Sequence, residues 1–177
     1  MLGLVFTEFV EMVEATHSHA VADAVLEAAG LPHGGAYTAV GYYPPEEFNR
    51  LLAALSRHTG EPPDHLAQTF GRHLASRFAQ LHPGHFAPHH HPFDLLASVD
   101  SHIHVEVRKL YPDAQLPRFE VLSRGEGRMV LRYRSPRAMH HLAWGLIEGM
   151  AGHYGRPCRL EMALEDGGAL FTITEVA

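Results

Sequence analysis

Apolar residues in the first part of the chain recur at intervals of three and four. Leu2, Val5, Phe6, Phe9, Val10 and Val13 fall on one helical face, because about 3.6 residues complete a turn. Residues 20–29 predict a second helix, stopped at Gly30 with Pro32 beyond it, since glycine ends helices and proline does not continue them. The stretch 33–47, rich in Gly, Pro and Tyr, reads as a loop. Pro45, Glu46 and Glu47 then open a helix over 45–59, closed by Gly60; proline and acids both suit a first turn. Leu66, Phe70, Leu74, Phe78 and Leu81 predict another helix from about residue 63. After a His- and Pro-rich loop at 82–92, Leu96, Val99, Ile103, Val107 and Leu110 predict a long helix over 92–111.

Beyond Pro112 the pattern changes. "RFEVLSRGEGRMVLRYRS" reads as two strands around Gly125–Gly127, and "CRLEMALEDGGALFTITEV" as a second hairpin turning at Asp166–Gly167–Gly168. Between them a helix is expected over 136–155, with Ser135 as its cap and Pro136 in its first turn. Helices followed by β-β-α-β-β predict an α+β fold with an antiparallel sheet of about four strands. The expected organisation is one domain, 1–177. Within it lie a helical N-terminal lobe, 1–62, and a larger C-terminal lobe, 63–177, which combines long helices with the sheet.

Composition narrows the function. Hydrophobic residues make up 46%, enough for a core, and no apolar run reaches the ~18 residues of a membrane span. The N-terminus carries glutamates and no early positive charge, so no signal peptide is expected and a cytoplasmic location is. A single cysteine, Cys158, excludes an internal disulfide framework and a cysteine-rich zinc site. The net charge of −6 comes without a long basic cluster, which argues against nucleic acid. The 16 histidines make the charge swing between pH ~7.5 and ~5.5.

Three constellations could carry chemistry. In "HIHVEVRKLYP" (102–112), His102 and His104 flank the apolar stripe on opposite sides. Helical residues two apart point away from each other, so the two do not share one ion, and periodicity does not choose between them. In "YRSPR" (133–137), Tyr133 and Ser135 face one way in an extended segment and Arg137 follows. A phenol, a hydroxyl and a guanidinium make a cage for carboxylates or phosphate; the same residues also suit a helix cap and a surface arginine. The loop histidines His82, His85, His89, His90 and His91 have no cysteine or carboxylate at metal spacing and read as solvated. HExxH, GxSxG, GxGxxG, CxxC and the P-loop are absent.

Several stretches together resemble the H-NOX (haem–nitric oxide/oxygen binding) family, which includes the haem domain of soluble guanylate cyclase. They are "MLGLVFTEFVE", "GGAYTAVGYYP", "FGRHLASRFAQLHP", "DSHIHVEVRKLYPDAQLPRF", "YRSPR" and "GLIEG", in order along the chain. The resemblance implies that His104, rather than His102, ligates the iron of haem b, and that Tyr133, Ser135 and Arg137 hold the haem propionates. It implies that Leu4, Val5, Phe9, Leu74, Phe78 and Leu142 line the distal side, and that Pro117, helped by Val5, presses the porphyrin out of plane. Oxygen-binding members carry a tyrosine nine residues beyond the first tyrosine of YxSxR. Here that position is Leu142, with Leu74 as its partner. Lacking a donor there, the domain is expected to bind NO and CO and to exclude oxygen, with His140 and His141 as the nearest polar neighbours.

Signalling would follow from release of His104, relaxation of the haem and rotation of the N-terminal lobe. With no output module before residue 177, the expected effector is separate, a histidine kinase or a cyclic-di-GMP enzyme. The zinc site of some members is not expected, because beside His153 there is only Cys158. Two rival readings are a zinc or non-haem-iron enzyme using His102, His104 and the His-rich loop, and a haem-free scaffold that binds a partner.

Overall fold

The computed structural model describes residues 1–176. The chain divides into two compact units, Met1–Phe70 and Gly71–Ala177.

The first unit contains α1 (Gly3–Thr16), α2 (His19–Ala29), α3 (Pro45–Thr59) and the first part of α4 (Pro63–Leu81). Ser18 caps α2 through its side chain, and Gly30 and Gly60 end α2 and α3 in the left-handed conformation, which glycine adopts without strain. The core is aromatic. Phe9 stands edge-on to Phe48 and Phe70 with centroids 5.4 and 5.3 Å apart, and all three are fully buried. Each such side chain contributes about 1.5–3 kcal/mol.

The loop between α2 and α3 folds back on the start of α1. Gly3 and Leu4 donate their amides to the carbonyls of Gly41 and Ala39, at 2.7 and 2.9 Å, and Leu2 bridges Tyr42. These bonds satisfy amides that a helix start leaves without partners. The approach is so close that a Cβ at Gly3 would overlap the Thr38 carbonyl.

The second unit begins within α4. It continues through α5 (Pro83–Phe86), α6 (Pro92–Ser98), a π-helical turn (Val99–Ile103) and α7 (His104–Leu110). The strands are β1 (Arg118–Gly125), β2 (Arg128–Arg134), β3 (Cys158–Glu165) and β4 (Gly168–Glu175), with α8 (His140–His153) between β2 and β3. They form one antiparallel sheet in the order β1-β2-β4-β3. Alternation places Met129, Leu131 and Tyr133 of β2 and Ala169, Phe171 and Ile173 of β4 on the buried face. There they join one core with Phe93, Leu95 and Leu96 of α6 and Ala143, Ile147 and Met150 of α8. α4 meets α8 at Gly71, where a Cβ would overlap the Leu142 carbonyl.

The α+β architecture and the four-stranded sheet match the sequence pattern. Four local expectations need correction. The helix expected over 136–155 begins at His140, and Ser135 does not cap it. Instead the Ser135 hydroxyl accepts the Arg137 amide at 3.2 Å, within a turn that holds Ala138 at φ 49°. The expected continuous helix over 92–111 is interrupted by the π turn. The β3–β4 turn is Asp166–Gly167 alone, because Gly168 already belongs to β4 opposite Arg134. The histidine loop is not uniformly solvated: the His91 Nδ1 accepts the Phe93 amide as the cap of α6, and its Nε2 lies 2.7 Å from Glu175.

Candidate functional site

The π turn delivers the central residue. His104 opens α7 and donates its backbone amide to the Val99 carbonyl, five residues back. Such turns are rare and concentrate at functional sites. His104 is 9% exposed as a residue, whereas His102 is exposed and its Nδ1 lies 2.8 Å from Ser101 Oγ. His104 Nδ1 lies 2.9 Å from Asp100 Oδ1. Burial holds the His104 imidazole below its ordinary pKa; the Asp100 carboxylate and the Pro117 carbonyl oppose that effect, and Arg108 adds to it. The ring is therefore neutral near pH 7, the state a metal ligand needs.

A chain of rings leads from His104 to the second group. Phe119 lies 6.1 Å from His104 and 5.3 Å from Tyr133 by ring centroid. Tyr133 is only 2% exposed. Burial pushes its phenol up; hydrogen bonding with Ser135 and the Met139 backbone, and the charge of Arg137, pull the other way. The sequence-predicted trio Tyr133, Ser135 and Arg137 is thus one cluster. The left-handed Ala138 next to it is a strained conformation of the kind that persists where surrounding structure enforces it. Pro117 is brought beside His104 through its carbonyl.

The remaining predicted residues divide between the units. In the first, Phe9 lies in the aromatic core, and Leu4 and Val5 are half-buried on α1 behind the loop that caps its start. In the second, Leu74 of α4 and Leu142 of α8 are buried, and Phe78 packs against the sheet core. His140 and His141 face each other with centroids 4.8 Å apart. Asp100 and the π turn escaped the sequence reading. The only signal for Asp100 was its position four residues before His104.

The donor set fits haem. One buried neutral imidazole with its inner nitrogen committed suits an axial ligand. A phenol, a hydroxyl and a guanidinium together suit partly buried carboxylates. Among the described residues, no group of three His, Cys, Asp or Glu side chains is arranged to hold a metal ion.

A family model described as haem-NO-binding matches residues 2–162. The chain belongs to this family. The H-NOX domain has solved relatives along its whole length. An unliganded Fe(II) H-NOX protein from K. algicida is 36% identical, with a TM-score of 0.92, covering 100% of this chain and 97% of that one. An H-NOX from Shewanella woodyi, solved bound to IWP-051 in the Fe(II)CO state, is 34% identical with a TM-score of 0.84, covering 99% of this chain and 95% of that one. An Fe(II)NO H-NOX from S. oneidensis, 23% identical and covering 100% of each chain, shares the fold with a TM-score of 0.92. No curated protein sequence matches. H-NOX domains bind haem and act as gas-sensing domains. No helix of this chain's described residues is long and apolar enough to cross a membrane.

Proposed function

We propose that this H-NOX domain binds NO and CO at ferrous haem b, excludes oxygen, and reports the ligand to a separate cytoplasmic effector without itself catalysing a reaction. The observation that carries the reading is the buried His104, fixed by Asp100 and linked through Phe119 to the Tyr133–Ser135–Arg137 cluster. Haem, when bound, supplies an iron that takes a diatomic ligand. His104 would hold that iron through Nε2, while Tyr133, Ser135 and Arg137 would hold the propionates, and Pro117 would bear on the porphyrin near His104. A histidine kinase or a cyclic-di-GMP enzyme is the class of effector this sensor would regulate, and the single cysteine suits a reducing cytoplasm.

Ligand choice follows from side chains. Oxygen draws negative charge when it binds, and its stable retention depends on a hydrogen-bond donor. Leu74 and Leu142 are buried and carry no donor. NO and CO do not need one. The reading based on His102 and the His-rich loop is not favoured, because His102 is exposed and pairs with Ser101.

The test is the absorption spectrum of the reduced, haem-loaded protein. NO and CO should each shift the Soret band, and air should give no stable oxygenated spectrum. Leu142→Tyr, which restores a donor, should gain one. A stable oxygenated spectrum in the unaltered protein would contradict the donor-free pocket.

A further inference from the structure

The pair His104–Asp100 carries an inference that rests on the haem reading and deepens it. We infer that Asp100 is the positioning residue that fixes the tautomer of His104 and strengthens its bond to iron, and so sets how readily NO binding frees the histidine. Asp100 is acceptor-only when ionised. At 2.9 Å from Nδ1 it therefore accepts a hydrogen bond from the Nδ1–H, and Nε2 is left as the nitrogen that presents its lone pair. The two residues are one turn apart, Asp100 inside the π turn and His104 immediately after it. The Asp100 side chain is about one-third exposed and that of His104 11% exposed, so the hydrogen bond is partly shielded from water.

A carboxylate accepting from a ligating imidazole makes the ring a stronger donor to the metal, and loss of such a partner typically costs roughly 10–100-fold in metal affinity. The Pro117 carbonyl also faces this imidazole and is a neutral acceptor. Exchanging Asp100 for Pro117 as partner would weaken the ring as a ligand without leaving its N–H unsatisfied. The domain therefore has a graded control on its own histidine–metal bond, located four residues from the ligand.

The experiment is resonance Raman spectroscopy of the ferrous, haem-loaded protein and of Asp100→Asn, Asp100→Ala and Asp100→Glu. The iron–histidine stretching band should fall in Asp100→Asn, fall further in Asp100→Ala, and stay near its original position in Asp100→Glu. NO-saturated samples should free the histidine more completely in the same order. Melting curves of the haem-free variants separate a structural role, which would lower stability without moving the band. If the band is unmoved in all three variants, the assignment of Asp100 is overturned while the haem reading stands. If the unaltered protein takes up no haem, both fall together.

Discussion

Two histidine–carboxylate pairs of equal length occupy the two units of this chain. In the first unit, His33 Nε2 lies 2.9 Å from Glu47. In the second, His104 Nδ1 lies 2.9 Å from Asp100. The difference is which nitrogen is used. His33 commits the nitrogen at the tip of its ring, and its inner Nδ1 is buried with no hydrogen-bond partner among the described residues. Glu47, 3% exposed, also accepts from the Tyr37 hydroxyl at 3.0 Å, and Tyr37 stacks on the fully buried Phe6. That set is closed on itself and anchors the loop that caps α1. His104 does the reverse, committing the inner nitrogen and leaving the tip for a ligand. A histidine–carboxylate pair is thus not a site in itself; the nitrogen it leaves over decides.

The largest effect on stability should come from breaking the closed set. Glu47→Ala strands the Tyr37 hydroxyl and the His33 N–H in a partly buried place, at up to about 1–3 kcal/mol for each unsatisfied donor. Urea unfolding of the haem-free protein should show it. A loss under about 0.5 kcal/mol, the usual range for a surface change, would mean that Glu47 is a surface acid after all.

A smaller effect should appear in alkali. Burial and the Glu47 carboxylate push the Tyr37 phenol well above its ordinary value of 10.0. The unfolded chain then releases this proton first, so its stabilising share is whole below pH ~10 and is lost as pH rises further. The alkaline fall in melting temperature should be shallower in Tyr37→Phe. An identical slope would show that Tyr37 ionises as freely in the folded protein as in the unfolded one.

Much of the architecture was legible because it rests on local signals. Pro45 and Gly60 bound α3, and the glycines at 127 and 167 sit in left-handed turns between paired strands. The π turn was not legible, since Leu96, Val99, Ile103 and Val107 keep a helical spacing while only the backbone bonding changes. The start of α8 was hidden because Ser135–Pro136 imitates a cap, while the stretch folds as a turn with the Arg137 amide on Ser135 Oγ and Ala138 in the left-handed region. Glu47 looked like an ordinary first-turn acid. Its partners lie 10 and 14 residues away, beyond any local pattern. At the site, the trio of residues 133–137 was close enough in sequence to be recognised as a unit, whereas the choice of His104 over His102 came from family resemblance and not from periodicity.

The central claim is that His104 is the residue that holds iron. Purified His104→Ala, His102→Ala and His33→Ala, each offered haem and reduced without oxygen, test it by their Soret bands. The account predicts a normal band in His102→Ala and His33→Ala, and its loss in His104→Ala with recovery on adding imidazole. A normal band in His104→Ala, with loss in His102→Ala, would contradict it.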